Sequence, residues 1–138
     1  MQSSDGVTRA IMRYYESANG DVAAFDRVLT GQPTAIVTGT GPGEGTEGRD
    51  RWLAAFGQLV EALPGLRIEP TDLRGWEEGA LGWAVDAPTW VFPDGSAMKT
   101  RLTAVTRLEE GEWKLVHAHF SVGVPDEEVV ELQARWLG

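Results

Sequence analysis

Three turn signals in the second half of the chain, Glu78-Gly79, Pro93-Asp94-Gly95 and Glu110-Gly111, leave it few architectures to choose from. They separate four segments of strand character, roughly Leu66 to Trp76, Ala80 to Phe92, Ala97 to Leu108 and Glu112 to Val122. Turns this short join antiparallel neighbours, so the segments predict a meander. Upstream the apolar period is helical instead. Ser4 or Asp5 caps a first helix carrying Val7, Ile11, Tyr14 and Ala18, which Asn19-Gly20 ends. Asp21 caps a short second helix through Phe25, Val28 and Leu29, and Thr34 to Thr38 forms a brief strand. Gly39 to Gly48 is a glycine-rich, acidic loop without periodicity. A third helix places Trp52, Phe56, Leu59, Val60 and Leu63 on one stripe and stops at Pro64-Gly65. Pro125 and Asp126 open a last, acidic helix with Val129, Val130, Leu132 and Trp136. The order α-α-β-α-β-β-β-β-α predicts a single α+β domain over residues 1–138.

Charge narrows the partners. The chain carries 12 Lys and Arg against 21 Asp and Glu, a formal charge of −9, which disfavours both a phosphate backbone and an anionic membrane. Without cysteine it has no thiolate nucleophile, disulfide or cysteine metal site. The start, MQSSDGVTRAIM, lacks a basic segment followed by an apolar run, so a cytoplasmic protein is expected.

The element order resembles the nuclear-transport-factor-2-like superfamily, in which a curved sheet wraps around helices and leaves a cone-shaped pocket. Local sequence supports the likeness. Arg101-Leu-Thr-Ala-Val-Thr-Arg107, a Glu-Gly turn and Trp113-Lys-Leu-Val-His-Ala-His-Phe-Ser121 look like the closing hairpin of SnoaL-like proteins and of the calcium/calmodulin-dependent kinase association domain. Thr8 through Arg13-Tyr14 and the Asn19-Gly20-Asp21 break are similar to ketosteroid isomerase, and that likeness implies an oxyanion-donor role for Tyr14. Where the isomerase has its carboxylate base, however, this chain has Thr38 and Gly39, with Glu44 and Glu47 only later in the loop. The kinase association domains set arginines in the pocket at positions that here are Ala104 and Phe120. An apolar ligand suits this version better.

Strand alternation assigns the remaining candidates. In the last strand Val116, Ala118, Phe120 and Val122 are expected to face the helices, and Trp113, Leu115, His117, His119 and Ser121 the other way. That second face is too apolar to be bare, and a second copy of the chain packed sheet to sheet would bury Trp113, Leu115 and His117. His117 and His119 point together as metal ligands might on a strand, yet spacing supplies no third ligand, so no metal or other cofactor is expected. His119, near a strand end, remains a candidate polar group for the pocket. Asp86 sits in an almost uncharged strand, and pairing across the Pro93-Asp94-Gly95 turn puts it on the helix side near Leu102, where desolvation suits an acid or base. A bulge at Pro88 would instead leave it beside Arg101 or Arg74 as an ion pair. Trp52, Phe56, Trp90, Leu102 and Phe120 are the expected pocket lining. The reading that follows is a homodimer holding a small, mainly apolar ligand in its cone. Its rivals are a cofactor-free isomerase, cyclase or dehydratase using Asp86 or His119 with Tyr14, and a dimerisation module whose cone is filled.

Overall fold

Ser4 accepts the Val7 amide at 3.1 Å through its hydroxyl and opens the first helix, α1, over Asp5–Ser17. Its buried positions Val7, Ala10, Ile11, Tyr14 and Tyr15 form one stripe against the sheet. The second helix, α2 (Val22–Val28), is capped by Asp21, and α3 (Arg49–Ala62) turns Trp52, Phe56 and Val60 inward. The computed structural model describes residues 1–137. Ten strands follow one another along it: β1 (Gln2–Ser3), β2 (Ile36–Thr38), β3 (Gly45–Glu47), β4 (Arg67–Glu69), β5 (Arg74–Glu78), β6 (Leu81–Asp86), β7 (Thr89–Val91), β8 (Ala97–Lys99), β9 (Arg101–Glu109) and β10 (Glu112–Ser121). The last helix is α4, Asp126–Leu137.

Seven strands make the main sheet, in the order β1-β5-β6-β9-β10-β2-β3, and β4-β7-β8 make a second, smaller one. The expected meander is present, but three of its four segments are each broken into two strands. The break in the middle segment falls at Ala87-Pro88, where proline has no amide hydrogen for a ladder. Thr100, at the break between β8 and β9, donates both its amide (3.1 Å) and its hydroxyl (2.8 Å) to the Pro88 carbonyl. The pieces beyond the breaks form the small sheet, which leans over the mouth of the cone. Two short strands also lie where none was expected: β1 pairs with β5, and β3 pairs with β2 inside the glycine-rich segment.

Helix α1 sits close on the sheet because the strands beneath it are nearly bare. Ala84, Ala104 and Ala118 are register partners across β6, β9 and β10, and all three are fully buried. At Gly82 a Cβ would lie 2.5 Å from both Thr106 Oγ1 and Val7 Cγ2, so that position has no room for a side chain.

The last strand departs from simple alternation. Opposite Thr106 stands Leu115 and opposite Val105 stands His117, so Val116 is an extra, bulged residue. Before the bulge, Leu115 faces the core with no exposed surface, and Trp113 packs on Gly6 of α1. After it, Ala118 and Phe120 face inward while His119 is exposed. Two of the three expected interface residues, Trp113 and Leu115, are therefore corrected to the helix side. A bulge shifts the side-chain parity of everything on one side of it.

Candidate functional site

Between α1, α3, the small sheet and the inner end of β10 lies an open cavity of about 580 Å³. Its floor is aromatic. Tyr14 packs with ring centroids 5.3 Å from Phe25, 5.8 Å from Phe56 and 6.1 Å from Phe120, and meets Trp52 edge-on at 6.2 Å. The far wall comes from β7 and β8, where Trp90 meets Phe120 at 89° and 5.2 Å and Met98 stands opposite Trp90 in register. The rim is the segment from Gly39 to Thr46. Of the five residues expected to line the pocket, Trp52, Phe56, Trp90 and Phe120 do so. Leu102 is buried in the core behind them and is not part of the lining, because it stands opposite both Asp86 and Phe120, deeper under α1.

Polar groups in this wall are few. Burial pushes the Tyr14 hydroxyl up from the usual tyrosine range, with the Trp52 side chain pulling the other way, so at neutral pH it is a neutral hydrogen-bonding group. The Trp90 indole nitrogen is buried without an acceptor among the described residues. At the rim Glu44 Oε2 accepts from the Thr40 amide (2.9 Å), the Thr40 hydroxyl (2.8 Å) and the Gly41 amide (3.2 Å), and these bonds hold its carboxyl below the ordinary range. The lining contains no Lys, Arg or His. It favours a neutral guest and opposes an anion.

Asp86, the expected acid or base, faces the helices opposite Leu102, but it is not in the cavity wall. Its Oδ2 accepts the Tyr15 hydroxyl at 2.8 Å. Its Oδ1 accepts three backbone amides, Ala87 at 2.7 Å, Asp72 at 2.8 Å and Thr71 at 3.2 Å. Both oxygens are thus engaged by the protein itself. The expected alternative, an ion pair with Arg101 or Arg74, is absent, and Arg74 lies 3.5 Å from Asp72 instead. Tyr15 was not singled out by the sequence. Burial and, next, the Asp86 charge push its hydroxyl up.

His119 is corrected as well. It lies on the outer face, paired with Thr103 on one side and Thr38 on the other, away from the cavity. His117 lies on that same face, and its Nδ1 donates to the Ile36 carbonyl at 2.8 Å. Among the described residues no group of three or more His, Cys, Asp or Glu is placed to hold a metal ion. Tyr14, Asp86 and His119 therefore occupy three separate environments. Of the three, only Tyr14 lines the cavity.

Comparison with known proteins agrees with this fold. The sequence profile of the SnoaL-like domain matches residues 7–125. No curated protein matches at a significant level. Among solved structures, an uncharacterised protein with a cystatin-like fold from Caulobacter vibrioides superposes with a TM-score of 0.74 at 21% identity, over 95% of this chain and 96% of that one. A nuclear-transport-factor-2-like protein of unknown function from Pseudomonas putida gives 0.76 at 17%, over 88% and 87%. A protein of that family from Streptomyces avermitilis, named provisionally as a dehydratase, gives 0.72 at 20%, over 88% and 96%. At such identities the likeness is one of fold.

Proposed function

This chain belongs to the SnoaL-like domain family, and from that premise we propose that it is a cytoplasmic homodimer whose cone binds a small, neutral, mainly apolar ligand. The observation that carries this reading is the cavity of about 580 Å³, open, floored by aromatic rings and free of basic side chains. Burying an aromatic or alicyclic guest there supplies the affinity. Tyr14 gives it a single orienting hydrogen bond. A catalytic reading has less support, because the carboxylate it needs is bound by Tyr15 and three amides and both imidazoles are outside. A filled cone is disfavoured by the cavity itself.

The dimer reading rests on the outer face of the main sheet. Trp76 and Trp83 stack there with centroids 4.4 Å apart, and Val105 and His117 continue the row in register. Trp83 is 37% exposed and Leu81 beside it 59%, an uncovered apolar surface in a single copy.

Titration of tryptophan fluorescence with a neutral aromatic ketone and with the matching carboxylate tests the ligand class. Saturable binding of the ketone, at least about tenfold tighter than the acid, is expected. Equal or tighter binding of the acid would overturn the reading.

A further inference from the structure

Phe92 borders two spaces in the molecule. It lines the aromatic cavity and also a second cleft of about 450 Å³, and it is the one residue that the two linings share. Strand alternation explains the arrangement. Trp90 lines the cavity, whereas Val91, one residue on, lines the cleft together with its register partner Arg67. The small sheet thus has the cavity on one face and the cleft on the other. Phe92 comes next, just past the end of β7, where the ladder no longer divides the two. The third helix runs past both spaces as well. Leu59 of α3 lines the cavity, and Pro64-Gly65, just beyond the end of that helix, line the cleft.

The backbone of Phe92 is fixed by the turn that it opens. Its amide donates to the Ser96 carbonyl at 2.8 Å, and its carbonyl accepts the Gly95 amide at 2.9 Å. Asp94 Oδ1 closes the same turn by accepting the Ser96 amide (2.9 Å) and hydroxyl (2.6 Å). The ring is half-buried against the core. Passage between the two spaces therefore depends on the size of this side chain and not on movement of the chain that carries it. The cleft does not call for an anion. Arg67, the one charged residue in its lining, lies 3.5 Å from Glu69, while Pro64, Val91 and Pro93 offer apolar contact.

We infer that Phe92 is a specificity-determining residue, a partition that ends the ligand cavity and closes off a cleft able to hold the tail of a longer, neutral ligand. This rests on the reading of the cavity as a ligand site and adds to it which residue limits ligand length.

Phenyl n-alkyl ketones from methyl to nonyl, titrated by tryptophan fluorescence, test the partition in the wild type, Phe92→Ala, Val91→Trp and the double variant. Each methylene taken out of water is worth about fourfold in affinity. Phe92→Ala is expected to bind the methyl ketone within about twofold of the wild type, and the nonyl ketone about tenfold or more tighter than the wild type does. Val91→Trp fills the cleft from its far side. It should cancel that gain in the double variant and leave binding unchanged on its own. Phe92→Leu should show the same trend at smaller size, and it carries the comparison if the alanine variant does not melt cooperatively. The same dependence on chain length in the wild type and in both Phe92 variants would overturn the partition and leave the ligand reading standing, as would a gain that survives Val91→Trp. A wild-type chain that binds no ketone of the series would overturn both.

Discussion

The Tyr15 hydroxyl donates to Asp86 Oδ2 at 2.8 Å and joins the first helix to the middle of the main sheet across 71 positions of sequence. Its neighbour Tyr14 turns into the cavity. One step along a helix rotates the side chain by about 100°, and that rotation gives two adjacent tyrosines unrelated tasks.

Tyr15→Phe should cost about 1–3 kcal/mol of unfolding free energy, because it leaves a buried carboxylate oxygen without its donor. Asp86→Ala should cost more than Tyr15→Phe, since three amides lose their acceptor together with the hydroxyl. Urea denaturation of both single variants and the double checks this. Equal effects that simply add would mean the two residues do not interact.

The protein contains only these two tyrosines, so their ionisation can be followed directly by absorbance. Burial raises both above the usual value of about 10, the second with help from the Asp86 charge. A raised folded-state value adds stability that is whole below about pH 10 and is lost as the pH climbs towards that value, since the unfolded chain releases its protons first. Tyrosinate absorbance should therefore appear together with alkaline unfolding, in one cooperative step. A separate titration near pH 10 in the folded protein would contradict the burial of both rings.

Ala55 is exposed on α3 and borders the cavity, so a bulky side chain there should block entry without disturbing the core. Ala55→Trp is expected to weaken ligand binding about tenfold or more while shifting stability by no more than about 0.5 kcal/mol. Parallel ligand titration and thermal melting of this variant give both numbers.

Aspartate substitutions at two apolar positions should fail in different ways. Leu115→Asp places an unpaired charge in the core and should cost about 3–5 kcal/mol or prevent folding. Trp83→Asp, on the outer face, should leave a folded chain that no longer dimerises. Circular dichroism and sedimentation of the two variants separate these outcomes.

These contrasts show which features of the fold were legible in the sequence. Gly79, Gly95 and Gly111 all have positive φ, at 60°, 86° and 81°, and their turns could be read because glycine tolerates that backbone region. The stripe of Trp52, Phe56 and Val60 was legible for the same local reason, a period of 3.6. Leu115 was not, because the Val116 bulge carries neither glycine nor proline, and counting by twos runs through it unnoticed. Tyr15 escaped since its partner lies far along the chain and nothing in its neighbours distinguishes it from Tyr14. Asp86 was found but its task was not, because the three amides that hold it belong to strand breaks that only the folded backbone creates.

Those breaks have a consequence of their own. The main and small sheets meet along a crease at Thr71, Ala87-Pro88 and Thr100, and Asp86 is the pin through it, accepting amides that would otherwise have no ladder partner. Trp90 and Met98, the far wall of the cavity, hang from the flap beyond the crease. A change at Asp86 is thus expected to displace a wall that is not its own, since Asp86 is outside the lining. Loss of ligand handling in such a variant would imitate the loss of a catalytic base, and the two are separated by asking whether the flap is still folded against the body.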